Sequence, residues 1–181
     1  MRTPILVTLA LVAALQGCTS PPLADSPLEQ LLDAIEQRLD LAEAVALHKW
    51  DQRQPVQASG RERQVIASVR DAASAQGLQA DRAEAFFTDQ MEANKLLQYS
   101  ALAHWNLHQK APPTARQHLQ LELRPQFDRR QAELLQRLAR FDRQPTPRCA
   151  NLLARSIEQR SLDPLRRLAL VRATGQLCDK P

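Results

Sequence analysis

Glycine is scarce in this chain, with four in 181 residues, and aromatic side chains make up only 4%. No stretch alternates apolar and polar residues with the two-residue period of a half-buried strand. No glycine-rich segment offers a row of backbone N–H groups to a phosphate, and no segment repeats. These absences exclude sheet-based nucleotide folds and solenoids, and what remains favours helices: Ala, Leu, Gln, Arg and Glu dominate. A basic run of the nucleic-acid type is also missing. The net charge of +4 is spread along the chain, and the Arg-rich stretch from Arg124 to Arg143 is interleaved with Asp128, Glu133 and Asp142. The four histidines, His48, His104, His108 and His118, lack a metal-ligand spacing: His104 and His108 are four apart but have no third ligand nearby. At 181 residues with 44% hydrophobic content, the chain suits one packed domain.

Residues 1–17 differ in kind from the rest. Arg2 supplies a positive flank, and the apolar run Ile5 to Leu15 is too short for a stable bilayer span. Small residues follow, so this segment reads as an export signal. Leu15-Gln16-Gly17-Cys18 resembles a bacterial lipoprotein processing site, in which Cys18 would carry lipid; simple cleavage without an anchor is the alternative. Residues 18–27, with Pro21, Pro22 and Pro27, read as a tether, and residues 28–181 as the folded domain. Three cysteines in an exported chain leave one over. If Cys18 carries lipid, Cys149 and Cys178 remain as a pair that an oxidising compartment would let form a disulfide.

The segment Leu28 to Trp50 places Leu28, Leu31, Leu32, Ile35, Leu39, Ala42, Val45 and Ala46 at three- and four-residue intervals, so it reads as one amphipathic helix. Ser26 caps it and Pro27 opens its first turn. Two cations interrupt the stripe. Lys49 lies eleven residues beyond Arg38, about 20° away around the axis at roughly 100° per residue, so both heads point toward whatever the helix packs against. Long side chains at a stripe edge can bury their stems and release the charge to water. The sharper reading is an anion pocket, because core-facing cations are costly without a negative partner.

A second helix spans about Arg61 to Gln76 and stops at Gly77, with Arg61 and Glu62 at its start. Asp81 caps a third, running to about Leu107, whose stripe Ala83, Phe87, Met91, Asn94, Gln98, Ala101 and Trp105 is polar at its centre. Asn94 and Gln98 are four apart on one face; they can satisfy one another, or serve as donors beside Arg38 and Lys49. A fourth helix spans about Ala115 to Phe141, with Pro125 kinking or dividing it next to Arg124. Two more, Cys149 to Arg160 and Leu165 to Cys178, form a hairpin around Asp163-Pro164.

The order of these residues resembles the secreted AroQ-type chorismate mutases of the gamma subclass. The resemblance covers about Leu28 to Cys178 and is carried by Arg38, Lys49 with Trp50, Ser59-Gly60-Arg61, the DQMEANKLLQYS segment holding Asn94 and Gln98, Arg124, and the cysteine pair Cys149 and Cys178. It implies an all-α bundle of about six helices, one complete active site within each chain, and a homodimer. The implied reaction is rearrangement of chorismate to prephenate, an intramolecular Claisen process that needs no cofactor. Arg38 and Arg124 would hold the substrate carboxylates with help from Arg61, Asn94 would add a neutral donor, and Glu62 would receive the substrate hydroxyl. Lys49 and Gln98 would stabilise the charge that develops on the ether oxygen. Gln98 stands where some secreted relatives carry Glu, Asn94 where relatives carry a hydroxyl residue, and Ala58 where an acidic residue is common. A second class of function is a periplasmic helical protein that binds an aromatic or carboxylated metabolite without turnover. A third is a structural envelope lipoprotein that needs none of these cations. Contact with a membrane is expected only through a lipid anchor at Cys18, and contact with nucleic acid is not expected.

Overall fold

Helices make up about three quarters of residues 26–179, the part of the chain that the computed structural model describes, and no strand occurs among them. The export signal and Cys18 lie outside the described residues. Seven α-helices follow in order: α1 Pro27–Leu39, α2 Ala42–Gln52, α3 Ser59–Ala73, α4 Ala80–His108, α5 Arg124–Asp142, α6 Cys149–Glu158 and α7 Pro164–Ala173. The six helical segments expected from the sequence are all present, with α1 and α2 sharing the first.

That first segment is broken at Asp40 and Leu41, which corrects the reading of a single helix. The Arg38 carbonyl leaves the regular ladder to accept a bond from the Leu41 N–H at 3.4 Å, and Asn94 Nδ2 on α4 donates to the same carbonyl at 3.5 Å. A side chain reaching into the ladder is a recognised cause of such breaks. Apolar spacing cannot reveal it, because Leu39, Ala42, Val45 and Ala46 stay buried on both sides of the break.

Local chemistry fixes the helix ends. Ser26 Oγ accepts the Glu29 N–H at 3.2 Å ahead of Pro27, as expected of a cap. The helix end after α3 tightens into a short 3-10 turn, Ser74–Gln76, and closes at Gly77 with φ +73°, a left-handed conformation that suits glycine. The α4 cap position is Gln79 rather than Asp81, which instead sits in the first turn and pairs with Arg70 at 2.7 Å. The fourth predicted helix begins later than expected: no helix covers residues 110–118, and a wide π-type turn, Leu119–Leu123, leads into α5. Pro125 falls in the first turn of α5, where its missing N–H costs nothing. Helix α7 ends at Ala173, and turns carry the chain on to Cys178.

Helix α4 is the axis, packing against α2, α3 and α7, while α1 lies along α5. Leu31, Leu32 and Ile35 of α1 meet a core that includes Phe86, Phe87, Leu134, Leu138 and Leu170, all essentially without solvent contact. Phe86 and Phe87 stand edge to face at 5.4 Å between centroids. A smaller cluster of Ala46, Leu47 and Trp105, with Trp50 edge-on to Trp105 at 6.1 Å, holds α2 on the distal half of α4. Cys149 and Cys178 form a disulfide that ties the start of α6 to the turn after α7.

Candidate active site

Arg38 and Lys49 each occupy the last turn of a helix, where the partial negative charge of the terminal carbonyls favours a cation. That placement offsets part of the cost of burial, and both are buried, at 6% and 9% exposure. They look into one cavity of about 300 Å³, bounded by α2, α3, α4, the start of α5 and the strap of residues 54–58. This volume falls in the range of small-molecule sites. Arg61, Glu62, Asn94, Gln98 and Arg124 line the same cavity, so all seven proposed catalytic and substrate-contacting residues converge on it from five helices.

Arg38 donates from its guanidinium to the Gln90 carbonyl at 3.1 Å and stacks over the Phe127 ring at 5.1 Å. Burial pushes its pKa down to about 10, which leaves it charged at neutral pH. Lys49 donates to the Val56 carbonyl at 2.6 Å and keeps two further N–H donors. Burial lowers the Lys49 pKa, the Glu62 carboxylate opposes that change, and the Lys95 ammonium adds to it. Arg124 is half-buried at the opening of α5. Among the described residues, Arg38, Lys49 and Arg124 form no ion pair with a carboxylate. The other two cations of the cavity are paired: Arg61 with Asp128 at 3.4 Å, and Lys95 with Glu62 at 3.2 Å.

On α4, Gln98 Nε2 donates to Asn94 Oδ1 at 2.6 Å, so the two amides are joined by one bond while both face the cavity. The pair is therefore bonded to itself in part and still presents polar atoms to the cavity. Gln98 Oε1 remains buried with no hydrogen-bond partner in the structure. Glu62 is more engaged than its sequence position suggests. Its Oε1 accepts the Ala58 N–H at 3.0 Å at the start of α3, and its Oε2 accepts from Gln57 Nε2 at 3.1 Å and Lys95 Nζ at 3.2 Å. Burial works against its charge, but the Ala58 N–H, the Lys95 ammonium and the Lys49 charge hold its pKa below the ordinary carboxylate value.

Sequence reasoning missed Lys95, Phe127 and Asp128. Lys95 follows Asn94 directly, about 100° around the helix from the stripe; its one local signal is the i,i+3 pairing with Glu92. Phe127 has only the apolar character of an ordinary core residue, and tertiary packing alone turns it toward Arg38. Asp128 read as one of the charges that break up the basic stretch.

What this arrangement offers is a partly open, largely apolar hollow, walled by Val45, Val56, Val65 and Met91, carrying three cations without an ion-paired carboxylate among the described residues and two uncharged amides. That donor set fits a small dianion, and nothing in it is placed as a nucleophile with an adjacent base.

Comparison with known proteins leads to the same chemistry. Residues 29–99, which hold Arg38, Lys49, Arg61, Glu62, Asn94 and Gln98, match the family described as chorismate mutase type II. The chain is 30% identical over 181 residues to a secreted chorismate mutase of Mycobacterium tuberculosis, covering 95% of this chain and 90% of that protein. Its fold superposes on the crystal structure of a chorismate mutase from Burkholderia phymatum with a TM-score of 0.78 and 39% identity, covering 84% of this chain and 96% of that one. The corresponding structure from Burkholderia thailandensis gives 0.79 and 34%, covering 85% and 100%. With the all-helical architecture, a cavity built from the family's segment, and relatives matched along almost their whole length, this chain belongs to the chorismate mutase family.

Proposed function

We propose that this protein catalyses the rearrangement of chorismate to prephenate, and that it does so outside the cytoplasm. The observation that carries the reading is the charge balance of the cavity. Three cations, Arg38, Lys49 and Arg124, surround it without carboxylate partners among the described residues, and a dicarboxylate whose reaction develops further negative charge would supply what they lack.

Arg38 and Arg124 receive the two carboxylates, Arg61 assists at the mouth, Asn94 donates as a neutral group and Glu62 receives the ring hydroxyl. In this Claisen process the ether carbon–oxygen bond breaks ahead of carbon–carbon bond formation, so charge accumulates on the ether oxygen. Lys49 and Gln98 are the donors assigned to that oxygen, acting in a site sheltered from water. The remaining contribution is conformational, holding the side chain of the substrate folded over its ring. The reaction needs no general base and no cofactor.

Secretion accords with the N-terminal segment and with the printed names of the mycobacterial relatives, which are called secreted chorismate mutases. Lipidation at Cys18 and association into a homodimer are further parts of this proposal; intact mass of the mature protein and light scattering test them in turn. The principal test follows chorismate absorbance with the purified mature protein. A linear, enzyme-dependent decrease that yields prephenate is expected. Tight binding of chorismate without turnover would instead favour the passive binding protein, and absence of both would overturn the assignment.

A further inference from the structure

Five cations line the cavity, and Lys95, paired with Glu62, is the one to which the proposed reaction gives no part. Its side chain is only 10% exposed. From α4 its ammonium reaches three groups: Glu62 Oε2 on α3 at 3.2 Å, Gln57 Oε1 on the strap at 3.2 Å, and Glu92 on its own helix at 2.7 Å. Glu62 in turn holds the strap, accepting the Ala58 N–H at 3.0 Å and the Gln57 side chain at 3.1 Å. Lys49 takes hold of the same strap from α2, donating to the Val56 carbonyl. The strap carries Pro55 and the buried Val56 but no regular secondary structure of its own, so its hold on the cavity comes through these contacts.

We infer that Lys95 is a positioning residue of the active site, fixing Glu62 and through it the 54–58 strap so that the carboxylate and the cavity wall stand where the substrate hydroxyl is received. The inference rests on the proposed mutase reading for its kinetic consequence, and on the structure alone for its mechanical one. Burial works against the Lys95 charge, yet the hydrogen bonds to Glu92 and Glu62 raise its pKa, so it stays an ammonium through the neutral range. Without it, Glu62 keeps the Ala58 N–H and Gln57 but loses its charged partner and its tie to α4, and the strap is held only by the bond from Lys49 and by a Glu62 that is itself no longer anchored.

Lys95→Met and Lys95→Arg test this, with Glu62→Gln alone and combined with Lys95→Met. Lys95→Met is expected to raise KM for chorismate about tenfold, the loss typical of one charge-assisted contact, with a smaller change in kcat. Lys95→Arg restores most of that loss, and the double variant is no worse than Glu62→Gln, because Lys95 acts through Glu62. Hydrogen–deuterium exchange of the peptide spanning residues 53–62 gives a readout independent of substrate: Lys95→Met should exchange about tenfold faster there, while α1 and α7 stay as protected as in the parent. Unchanged exchange in that peptide overturns the inference, as does a double variant whose losses add. Failure of the parent protein to convert chorismate strikes the mutase reading instead and leaves the exchange result to decide the role of Lys95.

Discussion

Gln98 gives its Nε2 hydrogen to Asn94 Oδ1 across 2.6 Å, one turn apart on α4 and facing the substrate cavity. Neither amide titrates. The same pair in carboxylic form would work only while protonated, so the residue chosen at position 98 sets the pH range of the site.

For the parent protein, kcat/KM should stay level from about pH 5 to 8 and fall on the alkaline side. The group responsible is Lys49, whose pKa burial lowers from the ordinary lysine value; it must keep its proton to donate, so activity is lost as pH rises through that lowered pKa. Gln98→Glu should acquire a second, earlier fall between about pH 5 and 8 as the new carboxyl ionises. Initial-rate profiles of the two proteins check this, and a steep loss in that interval for the parent would remove Gln98 from its assigned role.

Lys49→Ala should lower kcat by about 10² to 10³, the usual cost of removing one donor to a developing oxyanion. Binding of a non-reacting ring dicarboxylate should weaken far less, since Arg38 and Arg124 remain. Calorimetric titration beside steady-state kinetics separates the two effects. Equal losses in binding and turnover would mark Lys49 as a simple carboxylate ligand.

Arg38→Met should separate stability from activity. The guanidinium is buried against Phe127 with no carboxylate among the described residues, and the Gln90 carbonyl that it touches lies within the α4 ladder. Replacing a buried charge with an apolar chain of similar reach is often neutral or stabilising. Thermal melts should therefore show a midpoint equal to or above that of the parent, while kcat/KM falls by about a hundredfold or more through loss of the carboxylate contact assigned to Arg38. A large drop in melting temperature would show that Arg38 holds the bundle together.

Replacing Cys149 and Cys178 with alanine should cost about 3 to 4 kcal/mol, the chain-entropy estimate for a loop of their 29-residue separation. Denaturant titration with and without a reductant measures it. Neither α6 nor α7 contributes a residue to the cavity, so kcat/KM well below the melting transition should be unchanged.

The amino-acid pattern alone determined the helical class, the stripe that brings Arg38 and Lys49 to the inner side of the first segment, the amide pair on α4, and the helix ends at Ser26 and Gly77. These are local matters: three- and four-residue spacing, caps and backbone preference act over one or two turns, and a sequence displays them directly. The positions of Arg61, Glu62 and Arg124 came through likeness to a family, because no local rule says what a charged residue in a first turn will face. Tertiary structure decided the rest. It broke the first helix where Asn94 meets the Arg38 carbonyl, turned Phe127 under a guanidinium, and joined Lys95 on α4 to Glu62 on α3 and Gln57 on the strap. Each depends on groups between 33 and 89 positions apart being brought within a few ångströms, and only the packing of α4 against its neighbours fixes which of them meet.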